Sequence, residues 1–171
     1  MPKALSELVA GQSLLLVGCG KMGSALLQGW LGAGLSPAQF YVQEPNPDAA
    51  LQDLGVHLNP DDAALEAAAP SIIILAIKPQ LAVETLPSLA VLASDETLVV
   101  SLMAGVPTNT MSDLLGGEAS FVRTMPNTPA AIGEGITALY ASGGTQDSQK
   151  QAAEALLAAV GSAGAEHARG T

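Results

Sequence analysis

Short apolar runs alternate with amphipathic stretches along most of the chain. Leu14 to Val17 is an unbroken apolar run, the mark of a strand covered on both faces. Met22, Leu26 and Trp30 then recur four residues apart, which places them on one face of a helix from Met22 to Leu31. Gly32 and Gly34 close that helix. Phe40 to Gln43 reads as a second strand, stopped by Glu44-Pro45-Asn46-Pro47. A short helix over Asp48 to Leu54 ends at Gly55, and Val56 to Leu58 is a brief third strand. Asn59-Pro60-Asp61 reads as a cap with proline in the first turn, opening a helix from Asp61 to Ala69. Ser71 to Ile77 contains IIILAI, the clearest buried-strand signal in the chain, and Lys78-Pro79 closes it. Leu81 to Leu92 is a helix kinked or broken at Pro87. Thr97 to Leu102 and Ala119 to Thr124 are strands five and six, joined through Ala104-Gly105 and a helix over Thr108 to Leu115.

Strand and helix alternate with short connections as far as Thr124, which predicts an α/β fold: a Rossmann-like, doubly wound, mostly parallel sheet in a single domain. The order then changes. Met125 to Pro129 is too turn-rich for either element, Ile136 to Ala141 reads as a seventh strand, and Gln146 to Ala159 as the last helix. Residues 1–12 are expected to form an N-terminal arm or short helix, residues 13–161 the single α/β domain, and residues 162–171 a patternless, disordered tail.

The first strand runs directly into Gly18-Cys19-Gly20-Lys21-Met22-Gly23, a G-x-G-x-x-G motif that opens the first helix. Strand, glycine turn and helix in that order is the setting the dinucleotide fingerprint requires. Gly18 serves the tight turn, Gly20 lets a pyrophosphate approach the backbone, and Gly23 lets helix and sheet pack closely. A glycine-rich corner without a ligand is the competing reading.

Composition sharpens this picture. Of 171 residues, 49% are hydrophobic but only 13% charged, so the core is built from Leu, Val, Ile and Ala against close backbones. The net charge of −10 excludes nucleic acid and anionic membrane as main partners, while main-chain amides still suit an anionic cofactor. Cys19 is the single cysteine, so an internal disulfide is excluded and a zinc cluster has too few ligands; the thiol reads as space-filling, with redox chemistry as the alternative. No signal-type or transmembrane-length run is present, and a soluble cytoplasmic protein is expected.

Ligands in open α/β sheets lie beyond the carboxyl ends of the strands. Gly18 to Gly23, Glu44 to Asn46, Lys78-Pro79, Ala104-Gly105 and Met125 to Thr128 fall there. This set offers two lysines and many amides, but neither histidine nor a close carboxylate pair, so triad hydrolysis and two-carboxylate chemistry lack their groups. Hydride transfer needs none of them, because the cofactor carries the difficult step. Glu44 is placed to accept from a ribose 2′-hydroxyl, which favours NAD, whereas Asn46 could donate to a phosphate. Lys78 either meets a phosphate or is a surface lysine, and the Lys21 side chain either serves the site or points to solvent. Arg123 reads as a structural residue leading into the Met125 loop. Asn127 and Thr128, between prolines, form a stiff polar loop suited to substrate or nicotinamide contact, or a plain rigid turn.

GCGKMGSALLQG, the AIKP of Ala76 to Pro79, the SLMAGV of Ser101 to Val106 and VRTMPNTPAAIGEG from Val122 to Gly135 together resemble pyrroline-5-carboxylate reductase. The resemblance implies NAD(P)H-dependent reduction of 1-pyrroline-5-carboxylate to L-proline. It assigns the pyrophosphate to Gly18, Cys19, Gly20, Lys21, Met22 and Gly23 and the adenosine ribose to Glu44 and Asn46. Ala76, Lys78 and Pro79 would pass under the cofactor and Ala104 and Gly105 would lie near the nicotinamide ribose, with Met125, Asn127 and Thr128 near the nicotinamide and the imine ring. Family habit favours NADP and the residues at Glu44 favour NAD, so the preference stays open. Met103 stands where the family usually has a small residue; it either crowds the cofactor side or is absorbed in the core. The family is homo-oligomeric through a helical domain that follows this region. The chain is accordingly expected to lack the dimer domain and to show little reductase activity by itself. The alternatives are the cofactor domain of another dehydrogenase, acting on a hydroxyacid or a deazaflavin, and a non-catalytic nucleotide-binding module.

Overall fold

The computed structural model describes residues 4–116, 118–126 and 136–158. The strands are β1 (Leu14–Val17), β2 (Phe40–Gln43), β3 (His57–Leu58), β4 (Ile72–Leu75), β5 (Leu98–Ser101), β6 (Ser120–Pro126) and β7 (Ile136–Ala141). They form one seven-stranded sheet in the order β3-β2-β1-β4-β5-β6-β7. Neighbours are parallel from β3 through β6, and β7 runs antiparallel to β6. The chain winds outward from β1 in one direction to β3, then returns to β4 and winds the other way. That reversal defines the crevice position of doubly wound sheets. The mostly parallel, doubly wound reading therefore holds.

The helices are α1 (Leu5–Leu8), α2 (Lys21–Gly32), α3 (Ala49–Gln52), α4 (Asp62–Ala68), α5 (Ala82–Thr85), α6 (Thr108–Leu115) and α7 (Asp147–Ala158). Successive strand residues face opposite sides, so each central strand feeds two cores. Leu14, Leu16, Ile72, Ile74 and Val100 pack beneath α2 and α7, while Leu15, Val17, Ile73, Leu75 and Val99 pack beneath α4, α5 and α6. Burial on both faces is why these strands read as continuous apolar runs. Ahead of β1, Val9 is fully buried in the first core, and Gln39 Nε2 donates to the Val9 and Gln12 carbonyls, each at 3.0 Å.

Three local expectations change. The helix expected over Leu81–Leu92 is split into a 3-10 turn at Pro79–Leu81, α5, and a 3-10 segment at Leu86–Leu92. Pro87, without an N–H, stands in the first turn of the last piece. The cap of α4 is Asp61, whose carboxylate accepts the Ala64 N–H at 2.8 Å, and not Asn59. Asn59 has φ +48 and its side chain turns toward β2 instead. Met125 and Pro126, read as turn, belong to β6, where Pro126 pairs with Ile136 across an irregular register. Proline is tolerated at such a bulge because the ladder bond is already interrupted. Met103 is 2% exposed in the second core, so its bulk is absorbed there.

Candidate functional site

β1, β2 and β4 end level, with Val17 paired to both Gln43 and Leu75. The ladder then adds one rung on each side: Gly18 N–H donates to the Gln43 carbonyl and Ala76 N–H to the Val17 carbonyl, both at 2.8 Å. Gly18, Glu44 and Ala76 consequently leave the sheet side by side.

The three motif glycines meet different surroundings. Gly18 has φ +90, and a Cβ there would lie 2.9 Å from both the Ala76 carbonyl oxygen and the Ile77 Cγ2. A Cβ on Gly23 would strike the Gly18 carbonyl oxygen. A Cβ on Gly20 would meet nothing within 4 Å, so this position opens on free space. Gly20 is the N-cap of α2, and the first intrahelical bond runs from Ser24 N–H to the Gly20 carbonyl at 2.8 Å. The amides of Lys21, Met22 and Gly23 precede that bond and carry the positive end of the helix dipole. Open backbone beside these donors fits a pyrophosphate.

Glu44 organises the next corner. Its Oε1 accepts the Cys19 N–H at 2.8 Å and its Oε2 accepts the Asn46 N–H at 2.9 Å. Asn59, which does not cap α4, grips the Glu44 main chain: Oδ1 accepts the Glu44 N–H at 2.8 Å and Nδ2 donates to the Glu44 carbonyl at 2.9 Å. The available signal was an asparagine at a strand end, the residue type that most readily adopts a left-handed backbone after glycine.

Two cavities flank this corner. One, of about 620 Å³, is lined by Cys19, Gly20, Lys21, Glu44, Asn46 and Asp48 among others. The other, of about 470 Å³, is lined by Gly18, Gly20, Glu44, Asn46, Ala76 and Lys78, with Leu81 and Glu84 at its side. Lys78 is exposed where β4 gives way to the 3-10 turn that Pro79 begins. Of the other expected site residues, Met22 is half-buried against the first core. Ala104 and Gly105 form an exposed turn beyond β5, with Gly105 at φ +75, and Met125 lies in β6. All three share the sheet's carboxyl edge, and Ala104 and Gly105 line neither cavity. Asn127 and Thr128 lie outside the described residues. Arg123 pairs in register with Ser101 and Tyr140, and its Nε is buried without a hydrogen-bond partner.

Burial, then the charges of Glu44 and Asp48, push the Cys19 thiol up to about 11. It stays protonated at neutral pH, which argues against thiolate chemistry. Among the described residues, no cluster of His, Cys, Asp and Glu could hold a metal ion, and no helix is long and apolar enough to cross a membrane.

Residues 13–105 match the family model for NADP oxidoreductase, coenzyme F420-dependent. The chain is 33% identical over 152 residues to pyrroline-5-carboxylate reductase from Haemophilus influenzae, covering 86% of this chain and 55% of that protein. It is 37% identical over 127 residues to the Escherichia coli reductase, covering 72% of this chain and 47% of that protein. It superposes on the reductase structure from Coxiella burnetii with a TM-score of 0.79 at 28% identity, over 89% of this chain and 57% of that one. The chain thus spans about half the length of these relatives. Together with the glycine corner and the strand order, these matches establish that the chain belongs to the NADP oxidoreductase, coenzyme F420-dependent family and is homologous to the N-terminal nucleotide-binding domain of pyrroline-5-carboxylate reductases.

Proposed function

We propose that this chain is the cofactor-binding part of a pyrroline-5-carboxylate reductase. The observation that carries the reading is the contrast at the glycine corner: a Cβ on Gly18 or Gly23 would collide with its surroundings, while Gly20 faces open space beside the first-turn amides of α2, which receive no side-chain cap. In this reading Gly18, Cys19, Gly20, Lys21, Met22 and Gly23 hold the pyrophosphate of NADPH or NADH, and Glu44 and Asn46 the adenosine ribose. Ala76, Lys78 and Pro79 support the cofactor from the β4 side. Ala104, Gly105, Met125, Asn127 and Thr128 bound the nicotinamide and the imine.

When bound, the dinucleotide supplies a hydride to the imine carbon of 1-pyrroline-5-carboxylate, whose ring nitrogen takes up a proton to give L-proline. The protein's part is to fix the dinucleotide on main-chain amides and shape, which is sufficient positioning for hydride transfer. A soluble, cytoplasmic setting goes with the same reading.

Calorimetric titration with NADH and NADPH tests the binding, and imine-dependent oxidation of the reduced dinucleotide tests the reaction. Binding of either dinucleotide supports the reading, and failure to bind both overturns it. Membership of a coenzyme F420-dependent family raises a deazaflavin as the other acceptor. Oxidation of the dinucleotide by a deazaflavin and not by the imine would replace this substrate assignment.

A further inference from the structure

We propose that Asn59 is a positioning residue for cofactor choice: it fixes the Glu44 carboxylate against the glycine corner, and that fixed carboxylate makes the groove take NADH in preference to NADPH. This rests on the dinucleotide reading above and decides between its two cofactors.

The mechanism starts from the left-handed backbone at Asn59. Its own N–H still completes the ladder with β2, donating to the Val42 carbonyl at 2.7 Å. At φ +48 the main chain then turns away from the sheet. A carboxamide carries the same donor and acceptor as a peptide group, so the Asn59 side chain supplies the next rung, one bond each way to Glu44. One residue thereby clamps the end of β2 through three hydrogen bonds.

Because the Glu44 main chain is held, its carboxylate reaches back to β1. One oxygen is tied to the Cys19 amide and the other to the Asn46 amide. Glu44 lines both cavities, so whatever crosses between them passes this fixed negative charge. A ribose 2′-hydroxyl can donate to a lone pair the two amides leave over. A 2′-phosphate brings further negative charge to the same place. The first cavity also holds Asp48, whose Oδ1 caps Leu51 N–H at 2.8 Å, against the single cation Lys21 among its described lining residues. Two carboxylates to one ammonium leave that lining negative.

The test measures dissociation constants for NADH and NADPH on the full chain, with the variants Glu44→Gln, Asn59→Gly and the pair combined. Glycine accepts the left-handed backbone and removes only the carboxamide. Asn59→Ser, which is uncharged and too short to bond both the Glu44 N–H and its carbonyl, gives a second route should the glycine variant fold poorly. The wild type is expected to bind NADH about tenfold or more tightly than NADPH. Glu44→Gln should bring the two within about threefold, through improved NADPH binding. Asn59→Gly and Asn59→Ser should move the ratio the same way by about threefold or more, and Asn59→Gly should add nothing in the Glu44→Gln background. Equal or tighter binding of NADPH by the wild type overturns the proposal. So does an Asn59 variant that weakens both dinucleotides equally, since a merely structural role would do that. Loss of binding to both dinucleotides in the wild type would instead remove the dinucleotide reading itself, and this proposal with it.

Discussion

Gly23, in the first turn of α2, rests directly against the carbonyl of Gly18, the residue that ends the run of β1. The two are so close that a methyl group on Gly23 has no room, and the obstacle is backbone anchored directly to β1, a strand buried on both faces. Gly23→Ala must therefore lift the helix away from the sheet or bend the turn. Overpacking against main chain places the expected loss at about 3 kcal/mol of folding stability. Chemical denaturation followed by circular dichroism measures it. A loss below about 0.5 kcal/mol would mean the corner is looser than described.

Gly20 should behave in the opposite way. Its φ of −75 suits any residue and its added Cβ would touch nothing. Gly20→Ala is expected to change stability by no more than about 0.5 kcal/mol. Dinucleotide affinity should nevertheless fall by about tenfold or more, because the methyl group occupies the space where the pyrophosphate meets the amides. Titration beside a melting curve separates the two effects. Unchanged affinity would show that the open space at Gly20 is not the binding surface.

The Cys19 thiol gives a pH-dependent readout of the same corner. Its pKa in the folded protein is pushed up to about 11 from 9.0, first by burial and then by Glu44 and Asp48. Alkylation by iodoacetamide, which consumes the thiolate, should be slower near pH 8 than for the unfolded chain, and should rise toward pH 11. Because the folded-state pKa is the higher one, the protonated thiol favours folding below pH 9, and that contribution is lost as pH rises from 9 through 11. Glu44→Gln should lower the thiol pKa only part of the way, since burial is the larger cause. Fast alkylation of the folded chain at pH 8 would contradict this environment.

The fold was legible because its strands are buried on both faces, and such strands announce themselves as unbroken apolar runs. IIILAI gave β4, and LLLV followed by the glycines gave the β1–α2 corner. What stayed hidden depends on register across the sheet. Nothing in the order of residues says that Glu44 reaches an amide 25 positions earlier, because that bond exists only once β1 and β2 lie side by side and end level. The role of Asn59 is hidden for a related reason. Its local surroundings, just before Pro60 and Asp61, offer a helix cap, and only pairing of β3 with β2 offers it the Glu44 main chain instead. Met125 and Pro126 looked like turn because a proline argues against a strand, yet the antiparallel partner at the bulge accommodates it.

Trp30 shows the same limit for the core. Its spacing in the chain placed it on the buried face of α2, but not what it holds. The indole Nε1–H donates to the Leu156 carbonyl of α7 at 2.7 Å, and the ring stacks on Phe40 of β2 at 5.5 Å between centroids. It is fully buried and ties the first long helix to the last. Trp30→Phe keeps an aromatic ring for the stack but leaves a void and removes the hydrogen bond to the Leu156 carbonyl. The combined expectation is a loss of about 2–4 kcal/mol. Because Trp30 is the only tryptophan, circular dichroism must replace fluorescence as the signal in this variant. Phe40→Leu removes the stack and keeps the hydrogen bond, so it should cost less, about 1–2 kcal/mol. If Trp30→Phe costs no more than Phe40→Leu, the bond to Leu156 contributes nothing to holding α7, and other contacts hold it, the packing of Ala152, Ala153, Leu156 and Leu157 among them.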